Sequence, residues 1–396
     1  MTRPLYHDHG TALSFTSVVT QLAGDEAALA ATAFYPESGG QNDDWGEWRW
    51  LGGAARVVGT RKDKATGTIW HRLEGELPAV GAEISGQVEA GRRWRHMQRH
   101  SAEHLLAQAF VRVNPVFQVA AVSMLSPECH LDLRGDPAPV HVLAAEKLLR
   151  ETLGRDELTL LTPTVPESEL GQYPLRRESK VGGQVRLVMF QAGAGEYFDV
   201  SACGGTHVPR AAMCAPVVIL RTERIKNGLT RVTFMAGEEA SEYLSGVYQS
   251  AKSMAQRLSV PVERLPERLE RQMATEAAQR EEIAGLLARL AAQLVVGTPP
   301  QQVGGLTLRG LEVDDPQLFG ACLSAVPAGE VLAVLGPQGR CGVASAAAGQ
   351  DAAQLLRAVL GEIGGKGGGK ADLAQGFTEQ PAVFLNSLHA KLTSKL

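Results

Sequence analysis

Four side chains of types that commonly bind metal ions stand in two segments of this chain, roughly a hundred residues apart, which any fold has to bring together. His100 and His104 belong to the run His-Ser-Ala-Glu-His, and Cys203 and His207 belong to Cys-Gly-Gly-Thr-His. Residues i and i+4 lie on one face of a helix, so both histidines can bind a single ion that the second pair completes from a loop. The sequence therefore predicts one zinc ion per chain, bound by His100, His104, Cys203 and His207.

The two halves of this pattern differ in specificity. Two histidines four residues apart are a weak signal alone, because many helices carry such a pair by chance. The run from Cys203 to His207 is sharper, because its two glycines permit the tight backbone that turns a thiol and an imidazole inward. The combination predicts a site assembled from a helix and a distant loop.

Hydrophobic patterns divide the chain into four parts and together predict an α+β fold. Residues 1–90 carry short alternating runs separated by glycine and Asn-Asp-Asp, which predicts a small N-terminal β-barrel. Residues 91–240 begin with helical spacing and continue with mixed strands and helices, as an α+β zinc-containing domain. Residues 241–297 are rich in Ala, Glu, Arg, Gln and Leu and predict a helical hairpin, and residues 298–396 predict a small α/β domain. Within this last part, residues 330–335 predict a strand and residues 352–363 predict a helix.

The apolar positions of the predicted hairpin have two interpretations. They pack within their own domain, or they form the contact of a homodimer. The C-terminal domain is the other candidate for such a contact. Sequence alone leaves both interpretations open.

A cationic cluster precedes the first pair of histidines. The net charge of −4 argues against a generally basic surface, so any contact with nucleic acid has to come from a local patch. Arg92, Arg93 and Arg95 surround Trp94 in such a patch. One interpretation is a solvated helix start with arginine stems packed on the tryptophan. The other, favoured by the position next to the metal ligands, is that the arginines hold phosphates and Trp94 stacks a base.

Composition and segment lengths predict a cytoplasmic protein. No run of residues is long and apolar enough to cross a bilayer, and the first residues do not resemble a signal peptide. Five cysteines at irregular spacings argue against a disulfide framework and suit a reducing compartment. No membrane partner is expected.

These motifs resemble the editing domain of alanyl-tRNA synthetase and its free-standing relatives, the AlaX trans-editing proteins. The resemblance includes His-Ser-Ala-Glu-His-Leu-Leu at 100–106 and Cys-Gly-Gly-Thr-His-Val at 203–208. It also includes Phe-Tyr-Pro-Glu-Ser-Gly-Gly-Gln at 34–41. A glycine-rich stretch at 364–376 is similar to the DHH-associated domain that ends alanyl-tRNA synthetase. The similarity covers nearly the whole chain in the family's order.

The resemblance implies a zinc-dependent aminoacyl-tRNA hydrolase that acts in trans and without ATP. Its substrate would be tRNA for alanine mischarged with serine or glycine, and this tRNA would be the partner. The chain starts at the editing module, which favours the trans-acting form. We expect Gln41, Glu103 and Thr206 to complete the catalytic pocket around the zinc ion.

Two positions depart from the family's usual pattern. Glu103 stands where threonine is more common, and a carboxylate there serves as a general base, orients a ligand imidazole, or lies exposed at the helix edge. Ser201 stands where relatives tend to have glutamate. The identity of the preferred amino acid is therefore less constrained than the reaction type.

The glycine-rich stretch near the C-terminus has no Walker spacing, so it does not predict nucleotide hydrolysis. Without the resemblance it would be interpreted as a flexible turn. With the resemblance, Lys366, Gly367, Gly368 and Lys370 are expected to form a loop that contacts the backbone or folded elbow of tRNA.

Two other functions remain open at this point. A threonyl-type editing domain shares both ligand pairs, although the segment at 34–41 and the glycine-rich stretch argue against it. A tRNA-binding protein with a structural zinc and no turnover is the second, because four protein ligands are typical of a closed site.

Overall fold

The computed structural model describes residues 1–179, 182–193 and 195–393, which divide into two compact units at Ala251 and Lys252. The first unit begins with the strands β1 (Arg3–Pro4), β2 (Ser14–Ala23), β3 (Glu26–Leu29), β4 (Ala31–Thr32), β5 (Gly46–Trp50), β6 (Gly53–Lys62), β7 (Ile69–Gly75) and β8 (Glu83–Val88). Six of these close into a barrel in the order β2-β3-β7-β6-β5-β8. The predicted N-terminal barrel is confirmed.

Alternating burial explains why these short segments form a barrel. Along β8, every second residue is buried, so one face of the strand fills the barrel interior while the other meets solvent. Trp48 belongs to the hydrophobic cluster of the barrel and is fully buried. Gly46 allows close strand packing, because a Cβ there would lie 2.1 Å from the carbonyl oxygen of Gln87.

A long helix follows the barrel and forms the centre of the first unit. The remaining elements of this unit are α1 (Ala90–Val113), β9 (Val119–Ser123), β10 (Cys129–Arg134), α2 (Pro139–Arg155), β11 (Leu158–Leu161), β12 (Thr164–Pro166), β13 (Gln184–Ala192), β14 (Glu196–Ala202), β15 (Val217–Ile225) and β16 (Leu229–Ala236). Strands β15-β16-β10-β9 form one sheet, and β13 pairs with β11, β12 and β14. Helix α1 ends before Pro115, which disfavours helical backbone at the residue before it.

Helix α1 is buried on most of its surface, including polar residues. Leu105, Leu106 and Phe110 join the largest hydrophobic cluster of the unit. Arg99 donates hydrogen bonds from Nε and Nη2 to the carboxylate of Glu239, at 2.7 and 2.6 Å. A helix this deeply enclosed holds its histidines in fixed positions.

The segment predicted as a hairpin contains two helices, α3 (Gly237–Arg257) and α4 (Leu265–Gly297). The division between the compact units falls inside α3 rather than at the end of the predicted hairpin. Several large apolar side chains of α4 are exposed, namely Leu269, Met273, Ile283, Leu286 and Leu290. A homodimer contact through this segment stays a prediction.

The second unit contains a six-stranded sheet. Its elements after α4 are β17 (Gln301–Val303), β18 (Leu306–Glu312), α5 (Pro316–Ser324), β19 (Glu330–Leu335), β20 (Arg340–Ser345), α6 (Ala352–Ile363), β21 (Gly365–Gly369), β22 (Leu373–Thr378) and α7 (Pro381–Thr393). The strand order is β17-β18-β19-β20-β22-β21, with β18 and β19 parallel. Val331 and Ala333 face the cluster that includes α6 and α7, and Leu332 and Val334 face the one that includes α5. This arrangement agrees with the predicted α/β domain.

The glycine-rich stretch is a strand rather than the predicted loop or turn. It forms β21 at the edge of the sheet and pairs antiparallel with β22, from Gly365 opposite Thr378 to Gly369 opposite Ala374. A Cβ on Gly369 would lie 2.3 Å from the carbonyl oxygen of Leu373, so this close pairing requires glycine.

In the described residues, no helix is long and apolar enough to span a membrane.

Candidate metal centre and cleft

The four predicted ligands meet at one point in the first unit. The candidate ligand atoms of His100, His104, Cys203 and His207 all lie within 4.8 Å of one another. The Sγ atom of Cys203 is 3.4 Å from Nε2 of His100 and 3.5 Å from Nε2 of His207. Tetrahedral zinc with usual bond lengths separates a sulfur and a nitrogen ligand by roughly 3.5 Å. The donor set and its spacing therefore fit a zinc ion.

Two segments position these ligands. His100 and His104 lie one turn apart on the buried helix α1, and Cys203 follows directly after the last residue of β14. Gly205 makes the approach possible, because a Cβ at this position would lie 2.1 Å from Cε1 of His100. Gly204 is less constrained, since the nearest atom to its Cβ would be Nε2 of His7 at 3.6 Å.

Each histidine is held by a hydrogen bond at its Nδ1 atom. The partners are Gln41 Oε1 for His100 at 2.7 Å, Asp199 Oδ2 for His104 at 3.0 Å, and Ser101 Oγ for His207 at 3.3 Å. With Nδ1 donating, the lone pair of a neutral imidazole lies on Nε2, which suits metal binding. These three hydrogen bonds fix the tautomer and the orientation of each histidine ring.

Electrostatics favour the thiolate form of Cys203. Burial raises the pKa of this thiol. The neighbouring imidazoles, His100 first, lower the pKa by a larger amount, so it lies well below its usual value. Burial likewise raises the pKa of Asp199, while Arg176 and the hydrogen bond with His104 bring it below its usual value. The site therefore presents an anionic sulfur ligand and an ionised carboxylate behind His104.

A cleft of about 870 Å³ opens beside the ligands. The barrel side contributes Tyr6, His7, Tyr35, Pro36, Ser38, Gly39 and Lys62. Later segments contribute Glu103 and other residues of α1, most of β9, the segment from Arg176 to Ser179, and the loop that carries Cys203. This size lies within the range of roughly 300 to 1,000 Å³ that is usual for ligand sites.

Glu103 faces this cleft next to the metal position. Its side chain is almost fully buried, and Oε2 lies 3.6 Å from Nε2 of His104. Of the three roles that the sequence left open for Glu103, exposure at the helix edge is therefore wrong. A carboxylate at this distance can contact a water or substrate group bound beside His104.

Gln41 and Thr206 lie behind the ligands rather than in the cleft. Gln41 is 1% exposed and Thr206 is fully buried, and neither lines the cleft. Gln41 donates from Nε2 to the hydroxyl of Thr206 at 2.9 Å and accepts at Oε1 from the Thr206 amide at 3.2 Å. The expectation that these two residues complete the catalytic pocket is corrected, because their polar side-chain atoms hold His100 and each other instead.

The predicted cationic cluster before His100 is partly buried. Arg93 is 1% exposed and forms an ion pair with the buried carboxylate of Asp44, so it cannot contact a nucleic acid as predicted. Arg92 stacks on the ring of Trp45 with its guanidinium carbon 4.0 Å from the centroid, while Arg95 is partly exposed. Trp94 packs against the core of the unit. The sequence could not distinguish these environments because all three arginines stand on one helix.

In the second unit, the predicted tRNA contacts lie on the edge strand β21 or directly after it. Lys366, Gly367, Gly368 and Lys370 are all exposed. Lys366 pairs with Phe377 of β22, whose side chain is 50% exposed. The two lysines therefore flank a backbone that a ligand can approach closely.

Three residues near the metal position gave little or no signal in the sequence. Arg176 donates to the carbonyl of His104 at 2.9 Å and lies 3.4 Å from Asp199, although it stands in an irregular segment. Arg186 donates to the carbonyls of Cys203 and Gly205 at 2.8 and 3.1 Å. His7 contacts the carbonyl of Gly204 at 3.1 Å, and burial followed by the charge of Arg186 lowers its pKa to about 4. A fourth residue, Asp199, could have been found from the sequence, because it stands on the strand that leads to Cys203.

Comparisons with known proteins agree with the motifs. The family described as "Threonyl and Alanyl tRNA synthetase second additional domain" matches residues 180–233. Alanine-tRNA ligase of Archaeoglobus fulgidus is 31% identical over 403 residues, which covers 96% of this chain and 42% of that protein. Alanine-tRNA ligase of Thermococcus kodakarensis is 30% identical over 399 residues, with the same coverage. The chain thus spans less than half the length of these relatives.

Among solved structures, the C-Ala domain of Aquifex aeolicus alanyl-tRNA synthetase matches 24% of this chain and 98% of its own chain, at 21% identity. The TM-score of 0.22 is too low to support an inference about the fold.

Proposed function

This chain is related to alanyl-tRNA synthetase over nearly all of its own length, and we propose that it hydrolyses tRNA for alanine that carries serine or glycine by mistake. The observation that carries this proposal is the juxtaposition of three features. Four side chains that could hold a metal ion meet at one point, a cleft opens beside them, and the Glu103 carboxylate lines the cleft next to His104. The reaction needs no nucleotide, because an aminoacyl ester is already activated.

The chemistry assigns distinct tasks to the residues of the cleft. When bound, a zinc ion would supply a Lewis acid that polarises the ester carbonyl or a water molecule. Glu103 accepts a proton from the attacking water and returns it to the ribose oxygen as the ester bond breaks, which releases the amino acid and uncharged tRNA. Asp199 and Gln41 keep His104 and His100 in place and do not touch the substrate.

A second function is favoured by the number of protein ligands. Four protein ligands are typical of a structural zinc, whereas a catalytic zinc usually has three and an open position. On this alternative the chain binds tRNA without turnover, and the ion only holds α1 against the loop after β14. The threonyl-type substrate also remains within the family that matches residues 180–233.

Hydrolysis of three charged tRNAs tests the proposal. The purified chain is incubated with Ser-, Gly- and Ala-tRNA for alanine, and its zinc content is measured on the same sample. We expect loss of serine or glycine while alanine is spared; because no synthetase is present, such a loss also demonstrates action in trans. Bound zinc with unchanged half-lives of all three esters would contradict the proposal and favour the structural zinc. tRNA for threonine that is charged with serine is the substrate that tests the threonyl-type alternative.

A further inference from the structure

The rim of the cleft carries three exposed cations that come from separate elements. Lys62 ends β6, Arg134 ends β10, and Arg177 belongs to the segment between β12 and β13. All three are exposed and line the same cleft. The fold thus gathers positive charge at one opening from positions that are more than forty residues apart along the chain.

None of the three forms an ion pair with a carboxylate among the residues that the structure describes. Exposed arginines elsewhere in this unit do form such pairs, namely Arg3, Arg49, Arg56, Arg61, Arg221 and Arg224. The acidic groups that line the cleft are Glu103, which is buried beside His104, and Glu178. Arg176 is not counted with the rim, because it is engaged with Asp199 and the His104 carbonyl.

We propose that Lys62, Arg134 and Arg177 form a phosphate-binding rim that holds the single-stranded end of the tRNA while its ester lies beside Glu103. The proposal rests on the proposed function and assigns substrate-binding residues to it. Unpaired cations around an opening raise the local concentration of anions, even on a chain with a net charge of −4. Single-stranded nucleic acid binds by its phosphates in such grooves without a need to read the sequence.

Two substrates that differ in phosphate content separate this rim from the catalytic residues. The first is Ser-tRNA for alanine, and the second is adenosine esterified with serine, which has no phosphate. The rim variant combines Lys62→Gln, Arg134→Gln and Arg177→Gln. A control variant with the same loss of charge combines Lys147→Gln, Arg150→Gln and Lys226→Gln, which are exposed and lie outside the cleft.

We expect the KM for Ser-tRNA to rise about tenfold at low salt in the rim variant, with kcat and the KM for seryl-adenosine unchanged. The salt dependence of binding should lose a slope of about 0.7 for each phosphate contact removed. A charge-conserving variant with Lys62→Arg, Arg134→Lys and Arg177→Lys should restore the KM. An equal rise for both substrates, or a control variant that behaves like the rim variant, would overturn the proposal.

Binding of a short uncharged RNA that ends in CCA tests the rim without any turnover. The wild type should bind this RNA more tightly than the rim variant, and the control variant should match the wild type. If the wild type hydrolyses neither ester but the rim variant still loses RNA affinity, the rim stands and the proposed function is wrong. If the esters are hydrolysed and the affinity is equal in all variants, the rim is wrong and the proposed function stands.

Discussion

Gln41, in a turn of the barrel segment, accepts a hydrogen bond at Oε1 from Nδ1 of His100 on the long helix, at a distance of 2.7 Å. The same oxygen accepts the backbone amide of Thr206, and the Nε2 atom of Gln41 donates to the Thr206 hydroxyl. One buried amide therefore joins the barrel, the first ligand pair and the loop of the second pair. The candidate metal site therefore depends on the barrel segment, although this segment supplies none of the four candidate ligands.

Replacement of Gln41 by alanine should weaken metal binding. His100 would lose the partner that fixes its tautomer, and loss of such a partner typically lowers metal affinity by roughly 10- to 100-fold. The zinc dissociation constant, measured by competition with a chelator, gives the effect directly. Asn42→Ala is the control, because this neighbour only donates to the carbonyl of Leu125 at the surface. Equal zinc affinity in both variants would contradict the role assigned to Gln41.

Alanine at Gly205 should disrupt the site, whereas alanine at the adjacent Gly204 should be tolerated. The new Cβ at 205 would lie 2.1 and 2.4 Å from atoms of the His100 ring, but at 204 the nearest atom would be 3.6 Å away. We expect Gly205→Ala to lose zinc and hydrolysis and Gly204→Ala to keep zinc. Zinc content per chain distinguishes the two, and similar zinc loss in both would show that loop flexibility rather than space is decisive.

Glutamine in place of Glu103 should lower kcat by about 10²- to 10⁴-fold, which is the usual contribution of a general base. The substitution keeps the size of the side chain, so zinc content should not change. Glu47→Gln, an exposed change on β5, is the control for the loss of one negative charge. A Glu103→Gln variant with full kcat would contradict the mechanism while leaving the metal site intact.

Methionine in place of Arg93 should strongly destabilise the first unit. Arg93 Nε lies 2.9 Å from Oδ2 of Asp44, and both side chains are almost completely buried. Removing one partner of a buried ion pair leaves an uncompensated charge, which costs about 3–5 kcal/mol of unfolding free energy. The exposed pair of Arg49 with Glu47 should be worth less than about 1 kcal/mol.

Urea unfolding of Arg93→Met and Arg49→Met compares these two pairs. If Arg93 contacted tRNA instead, its substitution would weaken RNA binding and leave the unfolding midpoint unchanged.

Glutamine at both Lys366 and Lys370 should raise the KM for tRNA without a change in kcat. Lys366 is exposed on the edge strand β21 and Lys370 is exposed directly after it, whereas the candidate metal ligands all belong to the first unit. The loss of two phosphate contacts should also reduce the salt dependence of binding. The control is Arg271→Gln with Arg289→Gln, two exposed arginines of α4. An unchanged KM would show that β21 does not contact tRNA.

Local structure followed closely from sequence patterns. The predicted strand at 330–335 and helix at 352–363 have the observed bounds of β19 and α6. In both segments, the spacing of apolar residues and the neighbouring turn residues act over a few positions. The glycine-rich stretch was predicted wrongly as a loop, because its strand conformation comes from pairing with β22, and glycine has little strand preference of its own.

The amino-acid sequence by itself determined the candidate metal ligands, since His100, His104, Cys203 and His207 are identified by residue type and spacing. Only the tertiary structure decided which groups hold and surround them. Gln41 bonds to His100 from 59 residues away in the sequence, and Asp199 bonds to His104 from 95 residues away. Arg93 is buried in an ion pair with Asp44 and is not accessible to a ligand. The physical reason is that hydrogen-bond partners, burial and the walls of a cleft arise from contacts between distant segments, which leave no periodic or local trace in the chain.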